Sequence, residues 1–331
     1  MKKIAKKAFL NGIGAKVPSK VLTNNHLEQM VDTSDEWITS RTGIKERHIL
    51  QDGEKPSSLG VEASKQALSN SNIDVEDIDL LIVATNVSDY PIPGTAPFIA
   101  DSLSLPTDTP FFDVKAGCTG FIYGLDLARS CLVGNSYENV LLVGIEALSR
   151  IVNWEDRQTA VLFGDGAGAA VLKKDGSRGK VLDSSIFGDY RKLELLRMEG
   201  GGTRFPSHSK DTKKEQFYLE MEGGGVFKSA VNMMKKASLK ILTRSGYEID
   251  DVDWIIPHQA NIRIIRMLAQ KLGVDEEKVI INLEKYANTS TATVPLALNE
   301  ALEEGRIIKG DLLLLTAFGA GSTYGSCLIE W

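Results

Sequence analysis

One cysteine of this sequence stands where an apolar segment gives way to a helical one. Cys118 follows FFDV and a Lys-Ala-Gly link, and it precedes the helical pattern FIYGLDLARS. A thiol at a helix N-terminus meets free backbone N–H groups and the positive end of the helix dipole, which favour the thiolate. The flanking Gly117 and Gly120 leave room for another group to approach closely. The pattern favours a nucleophile at Cys118 over a buried structural cysteine.

Two further candidates occur in the second half of the chain. His258 follows the apolar segment DWIIP, and residues beyond the carboxyl ends of buried strands line ligand sites in α/β proteins. Asn288 lies in YANTSTATVP, just before another helical segment. The structural alternatives are a hydrogen-bonded core histidine and a helix-capping asparagine.

An internal repeat brings these candidates into register. Residues 71–85 return as residues 245–259, an offset of 245 minus 71, or 174. Between this repeat and a second one, in which FGDGAGAAVL returns as FGAGSTYGSCLI, the strand-then-turn segment FFDVKAGCT aligns with IINLEKYANT. That alignment sets Cys118 opposite Asn288. Two halves that each deliver a polar residue at the same turn indicate one active site on a pseudo-twofold axis.

Short apolar segments alternate with longer amphipathic ones along the chain. LLIVAT, VLLVGIEA, WIIP and LLLLTAF are typical of strands buried on both faces, and the segments between them have the three- and four-residue spacing of helices. The polar KKDGSRGK is the predicted junction between an N-terminal half, residues 1–175, and a C-terminal half, residues 176–331. Residues 197–216 show neither period and predict a long loop.

Composition excludes several classes of function. The chain has 331 residues, of which 43% are hydrophobic and 25% charged, enough to bury the core of about two domains. Its net charge of -6 argues against nucleic acid, which needs a concentrated basic surface. Its three cysteines lack the spacing of a zinc site, and its partial glycine motifs lack the P-loop lysine. No metal and no nucleic-acid partner are therefore expected.

No segment predicts export or membrane insertion. The N-terminal MKKIAKKAFL lacks the apolar core of a secretory signal. The segment LLLLTAF is far shorter than the roughly 18 residues that span a bilayer. We expect a cytoplasmic protein with no membrane partner.

Six separated motifs resemble the β-ketoacyl-[acyl carrier protein] synthase III family of condensing enzymes. They are DTSDEWITSRTGIKERHI, AGCTGFIYGL, FGDGAGAAVL, PHQANIRI, NTSTATVP and AFGAGSTYG. The resemblance implies an α/β thiolase fold with five αβαβα layers from two duplicated halves, usually as a homodimer. It also implies an acyltransferase that initiates type II fatty acid synthesis. Such an enzyme condenses an acyl-CoA primer with malonyl-acyl carrier protein through an acyl-cysteine, and it uses no cofactor.

The resemblance further implies roles for single residues. Cys118, His258 and Asn288 match the catalytic positions, and the backbone N–H groups of Cys118 and Ala320 match the oxyanion site. Gly319-Ala320-Gly321 departs from the family's three glycines, but alanine keeps the backbone N–H.

Binding residues are implied in the same way. The implied contacts to CoA are Trp37, Arg41, Arg157 and Asn261. The implied contacts to the carrier protein are Lys228, Arg263 and Lys271. Ile92 falls in a segment that crosses the dimer interface of the family, where the depth of the neighbour's acyl tunnel is set. Inert surface charges and a core tryptophan are the structural alternatives.

Three alternatives concern the activity. A type III polyketide synthase would need a GFGPG-like end, which GAGSTYG does not supply. A noncatalytic scaffold would tolerate loss of Cys118, His258 or Asn288, and all three are present. A synthase III-like acyltransferase or ketosynthase of specialised metabolism, with a different acceptor, stays open. So do the length and branching of the primer.

Overall fold

A computed structural model describes residues 7–134 and 136–331 of the chain. Residues 1–6, which include Lys2, Lys3 and Lys6 of MKKIAKKAFL, lie outside the described residues, as does Asn135. The strands are β1 (Ala8–Lys16), β2 (Val21–Thr23), β3 (Glu46–His48), β4 (Leu80–Ala84), β5 (Phe111–Val114), β6 (Asn139–Ala147), β7 (Asp165–Lys173), β8 (Lys180–Gly188), β9 (Leu196–Arg197), β10 (Glu220–Met221), β11 (Trp254–Pro257), β12 (Leu312–Gly319) and β13 (Thr323–Glu330). The α-helices are α1 (Asn24–Glu28), α2 (Asp35–Thr42), α3 (Pro56–Ser71), α4 (Ala96–Leu103), α5 (Gly120–Val133), α6 (Arg157–Ala160), α7 (Gly223–Ser245), α8 (Ile262–Leu272), α9 (Leu283–Tyr286) and α10 (Thr293–Glu303).

The main sheet has nine strands in the order β11-β12-β13-β8-β1-β7-β6-β4-β5. It consists of two parts that meet where β1 pairs with β8 at Ala8–Val181 and Phe9–Lys180. In the first part β4 runs parallel to β5 and β6, and in the second part β11 runs parallel to β12. The parallel strands β4, β6 and β12 are buried because helices cover both of their faces, whereas the edge strand β5 is partly exposed.

Helices and sheet parts alternate in five layers. α3 and α4 cover the outer face of the first part, and α7 and α8 cover the outer face of the second. α5 and α10 lie between the two parts, where Phe121 and Leu298 belong to one central apolar cluster. The layer order is the αβαβα arrangement that the family resemblance implies. It brings the N-termini of the two central helices to the region between the halves.

The sequence repeat corresponds to repeated structure over helix, turn and strand. α3 ends at Ser71 and α7 at Ser245, while β4 begins at Leu80 and β11 at Trp254. Both pairs keep the offset of 174, since 245 minus 71 and 254 minus 80 are equal. The repeated unit of helix, turn and strand is therefore present in both halves, and in the second half it leads to His258.

The structures of the two halves differ in the segment IINLEKYANT, where alignment with β5 of the first half predicts a strand. Val279 makes only an isolated bridge with Ile255, and the short helix α9 follows. The side chain of Gln259 explains the difference, because its Nε2 donates to Ile280 O at 3.1 Å and its Oε1 accepts from Asn282 N at 3.2 Å. These bonds take the place of a strand ladder, so the prediction of a strand in IINLEK is wrong.

Three further expectations concern the junction between the halves, the long loop and the absence of a membrane span. β7 ends and β8 begins within KKDGSRGK, and the division near residue 175 stays a prediction. Of the predicted loop, residues 198–213 contain no helix or strand, whereas Arg197 belongs to β9 and residues 214–216 to a short 3₁₀-helix. Across the described ranges, every helix is too short or too polar to cross a membrane.

Candidate active site

A cavity of about 410 Å³ brings the three catalytic candidates together. Cys118 reaches it from the turn before α5, His258 from the end of β11, and Asn288 from the turn that leads to α10. Apolar side chains line much of the remaining wall, among them Phe163 and Met234. The site therefore lies between the halves, as the register of the repeat predicted.

Backbone contact fixes the turn that carries Cys118. Gly117 has a φ of +58°, and a Cβ at this position would lie 2.5 Å from the backbone nitrogen of Ala320. A Cβ at Gly319 would overlap the backbone nitrogen of Cys118. Glycine is required at both positions because each side chain would enter the opposite backbone. The two N–H groups assigned to the oxyanion site thus belong to segments in contact, and their role stays a prediction.

Burial acts on the protonation of Cys118 in the direction opposite to the sequence-based expectation. The residue is only 9% exposed, and burial raises the pKa of its thiol to about 12. The Ser290 hydroxyl lowers this pKa in part, and the carboxyl group of Glu146 raises it. Loss of solvation disfavours a charged sulfur, an effect opposite in direction to that of the helix N-terminus. Burial thus favours the thiol in the free site, and the thiolate expected from the helix N-terminus stays a prediction.

His258 is held neutral by burial. Its side chain is 3% exposed, and burial lowers the pKa of the imidazole to about 3. Its backbone N–H donates to Thr316 O at 2.8 Å, and its Nδ1 lies 2.7 Å from Thr293 Oγ1. A neutral imidazole has one N–H and one unprotonated nitrogen. It can donate one hydrogen bond into the cavity without carrying a charge.

Asn288 is fixed by its backbone and its side chain. Its N–H donates to Leu162 O at 2.9 Å, and its carbonyl accepts from Gly164 N at 3.1 Å. Its Oδ1 accepts from the backbone N–H of Ser290 at 2.9 Å. Since an N–H faces Oδ1, the amide NH₂ is the end left for a ligand. Ala287 and Ser290 have φ values of 56° and 50°, a left-handed backbone that non-glycine residues rarely adopt.

A buried carboxyl group lies behind these residues and was not predicted. Glu146 is fully buried, and burial raises its pKa to about 7. It accepts from the backbone N–H of Asn86 and from Ser290 Oγ, each at 3.2 Å. The available signal was a single acidic residue within the apolar strand VLLVGIEA. Its bonds connect the turn of Asn288 to β6.

The four residues assigned to CoA form one cluster. Ser34 caps α2, and its Oγ accepts from Trp37 N at 3.1 Å. Arg157 Cζ lies 4.8 Å and Arg41 Cζ 5.8 Å from the centre of the Trp37 ring. Asn261 Nδ2 donates to Arg41 O at 3.2 Å, and Asn261 also lines the cavity. An aromatic surface with two cations thus adjoins the cavity of Cys118, and its binding role stays a prediction.

The remaining candidates lie at the surface. Lys228 on α7 and Arg263 on α8 are exposed, and Arg263 also lines the cavity. Lys271 is exposed in the last turn of α8, about 12 Å further along the helix from Arg263. Ile92 is 90% exposed, and in the described part of this single chain it is not among the residues lining the cavity. The roles assigned to all four stay predictions.

Comparison with known proteins identifies relatives over almost the whole chain. Residues 112–189 match the family model for 3-oxoacyl-[acyl-carrier-protein] synthase III, and residues 242–331 match the model for its C-terminal region. The β-ketoacyl-[acyl-carrier-protein] synthase III of Caldanaerobacter subterraneus subsp. tengcongensis is 47% identical, with 98% of each chain covered.

Solved structures agree with this result. The 3-oxoacyl-[acyl-carrier-protein] synthase III of Aquifex aeolicus VF5 superposes with a TM-score of 0.91 at 41% identity, covering 98% of this chain and 100% of that one. The priming β-ketosynthase of the R1128 polyketide biosynthetic pathway gives a TM-score of 0.89 at 31% identity, covering 98% and 96%. The predicted thiolase fold and the predicted class, an acyl-transferring condensing enzyme, are confirmed. The chain belongs to the 3-oxoacyl-[acyl-carrier-protein] synthase III family.

Proposed function

We propose that this chain condenses an acyl-CoA primer with malonyl-acyl carrier protein and so initiates type II fatty acid synthesis. The observation that carries the proposal is the cavity in which a thiol, a neutral imidazole and an oriented amide meet. A thiol can hold the acyl group covalently, and uncharged N–H donors can stabilise an enolate. The same three residues thus serve two successive steps.

The first step loads the primer onto Cys118. Its sulfur forms a bond to the thioester carbonyl carbon, the bond from that carbon to the CoA sulfur breaks, and the thiol proton passes to CoA. The backbone N–H groups of Cys118 and Ala320 would donate to the oxyanion of the tetrahedral intermediate. Trp37, Arg41, Arg157 and Asn261 would bind the CoA on the way to the cavity, by stacking, charge and hydrogen bonding. The products are an acyl-enzyme and CoA.

The second step forms the new carbon–carbon bond. The carboxylate of the malonyl group leaves as carbon dioxide, and its bonding electrons pass into an enolate. His258 and Asn288 would donate N–H bonds to the enolate oxygen. The enolate carbon attacks the acyl group, and Cys118 leaves and regains a proton from water. The 3-oxoacyl product is two carbons longer, and both steps balance without a metal or redox cofactor.

Carrier binding, assembly and location belong to the same proposal. Arg263 lines the cavity, Lys228 follows the cavity residue Phe227 on α7, and Lys271 lies further along α8; these cations would steer an acidic carrier protein. For a homodimer, the supporting observation is apolar exposure near the edge strand β5: Phe111 is 46%, Phe112 40% and Ile92 90% exposed. In that dimer Ile92 would reach the partner's acyl tunnel. The proposed location is the cytoplasm.

A second function has one specific observation in its favour. The similar priming β-ketosynthase acts, by its name, in a polyketide pathway. A ketosynthase of specialised metabolism would share the loading step and differ in the acceptor. The two functions therefore separate at the second step.

Intact mass spectrometry tests the proposal directly. The purified protein is exposed to a panel of acyl-CoAs and then to malonyl-acyl carrier protein. We expect one acyl adduct, mapped to Cys118, that disappears as 3-oxoacyl-carrier protein forms, and the best-loading chain identifies the primer. An adduct that malonyl-carrier protein fails to discharge would favour the second function, and no adduct from any acyl-CoA would contradict both.

A further inference from the structure

Thr293 contacts Nδ1 of the His258 imidazole, and among the described residues it is not one of those that line the cavity. Its Oγ1 lies 2.7 Å from His258 Nδ1 and 2.9 Å from the carbonyl oxygen of Ser290. Thr293 is 1% exposed, and the two residues lie on separate elements, α10 and the end of β11. A hydroxyl has one proton, so it can donate to only one of these two acceptors. The direction of that proton decides which nitrogen of His258 is protonated.

The surroundings of Ser290 favour donation to the imidazole. The carbonyl of Ser290 already accepts the backbone N–H of Thr293, which closes the turn before α10. It therefore does not depend on the hydroxyl for a hydrogen-bond partner. Nδ1 has a greater need, since an unpaired ring nitrogen in a buried site loses its solvation without compensation. The contact to Nδ1 is also the shorter of the two.

The two possible tautomers have opposite consequences in the cavity. If Thr293 donates to Nδ1, the single proton of the neutral ring is on Nε2. Nε2 then presents an N–H to an enolate oxygen. If Thr293 donates to Ser290 instead, Nδ1 has the proton and Nε2 presents a lone pair. A lone pair would repel the negative charge that develops during decarboxylation.

We propose that Thr293 is a positioning residue that donates its hydroxyl proton to Nδ1 of His258 and thereby keeps the Nε2–H tautomer directed into the cavity. This inference rests on the proposed function, because the tautomer matters only if His258 stabilises an enolate. Thr293 acts on decarboxylation alone. Loading of Cys118 does not use the N–H of His258 and does not depend on Thr293.

Three substitutions separate this role from a general effect on packing. Thr293→Val removes the hydroxyl at nearly constant volume, and Thr293→Ser restores it. Thr291→Val is the matched control, because Thr291 lies in the same buried turn but its hydroxyl faces the carbonyl oxygens of Ala84 and Ile145, at 3.2 and 3.3 Å, instead of His258. Each variant and the unaltered protein are assayed for acyl loading by mass spectrometry and for carbon dioxide release from malonyl-acyl carrier protein. Nitrogen NMR of ¹⁵N-histidine-labelled protein identifies the protonated nitrogen of His258.

We expect the unaltered protein and Thr293→Ser to show a single Nε2–H tautomer. Thr293→Val should show a mixture, with carbon dioxide release reduced about tenfold by loss of one buried hydrogen bond and loading unchanged. Thr291→Val should match the unaltered protein in both assays. A proton on Nδ1 in the unaltered protein would overturn the proposal, as would full carbon dioxide release by a folded Thr293→Val. If Thr293→Val fails to fold, the NMR spectra of the unaltered protein and Thr293→Ser decide.

Failure of the proposed function has a different signature. In that case the unaltered protein releases no carbon dioxide from malonyl-carrier protein, whichever nitrogen is protonated. The NMR result still tests the contact between Thr293 and His258. The two failures are therefore distinguishable in one set of samples.

Discussion

The turn that carries Cys118 and the turn that carries Asn288 occupy equivalent points of the two halves, yet different forces hold them. The first is packed backbone against backbone, with Gly117 and Gly319 leaving no space for a side chain. The second is held by polar groups, since Asn288 accepts from Ser290 and the hydroxyl of Ser290 contacts Glu146. A nucleophile needs room for a tetrahedral carbon, whereas a donor needs a fixed direction for its proton. The duplicated fold thus supports two kinds of chemistry in one cavity.

Removing the thiol should have the largest effect and should affect one turn only. In Cys118→Ala we expect no acyl adduct with any acyl-CoA, a loss of more than about a thousandfold, because no other group at this turn can form the thioester. The fold should survive, since the change is small. Intact mass spectrometry and thermal unfolding check the two points. An adduct on another residue would show that the first turn is not where the primer is held.

Removing the amide of Asn288 should leave acyl loading intact and slow the second step. We expect Asn288→Ala to load acyl groups normally and to discharge them about 10²- to 10³-fold more slowly, the usual cost of losing one donor to a developing negative charge. The acyl-enzyme should therefore accumulate in the presence of malonyl-carrier protein. A time course by mass spectrometry measures this. Loss of loading in this variant would show that the two turns do not divide the chemistry.

A methyl group at Gly319 should disturb the first turn specifically. Its Cβ would overlap the backbone nitrogen of Cys118, and such overpacking costs about 1–3 kcal/mol. We expect Gly319→Ala to lower the free energy of unfolding by that amount and to slow loading by about tenfold to a hundredfold. Gly188→Ala is the control, because its Cβ would meet no atom within 4 Å. Equal effects of the two substitutions would contradict the claim that backbone contact at Gly319 fixes the turn of Cys118.

The two turns should also differ in their response to pH. The pKa of Cys118 is raised to about 12, so the thiolate fraction and the loading rate should rise about tenfold per pH unit between about pH 6 and 9. The pKa of His258 is lowered to about 3, so the imidazole stays neutral from about pH 5 to 8, and any change of the decarboxylation rate in this range should follow Glu146, whose pKa is about 7. Single-turnover loading and carbon dioxide release measure the two profiles. A loading rate that levels off near neutral pH would instead support the prediction that the helix N-terminus keeps Cys118 as a thiolate.

The smallest expected effect lies outside both turns, at the CoA cluster. Trp37→Ala removes the ring beside Arg41 and Arg157, an interaction of the order of 0.5–2 kcal/mol. We expect the KM for acyl-CoA to rise about tenfold while loading from a short thioester without the nucleotide is unchanged. An equal loss with both donors would show that Trp37 shapes the cavity rather than binding CoA.

The sequence predicted much of this site, and the parts that it missed share a physical cause. Local pattern sufficed for Cys118 and His258, because each follows a recognisable strand. The pKa of Cys118 could not be predicted, since it depends on burial by distant segments such as the end of β12. The bonds of Gln259 that replace a strand were also invisible, because they join elements that only the fold brings together. Thr293 lies in the recognised motif NTSTATVP, but its motif gives no sign of its contact with His258.

Carbon dioxide release by Cys118→Ala tests the central claim most directly. If the second turn performs decarboxylation independently of the nucleophile, this variant should release carbon dioxide from malonyl-acyl carrier protein without an acyl primer. Adding Asn288→Ala to it should then reduce the release about a hundredfold, by loss of one enolate donor. No release by Cys118→Ala, or a release that the second substitution leaves unchanged, would contradict the division of chemistry between the two halves.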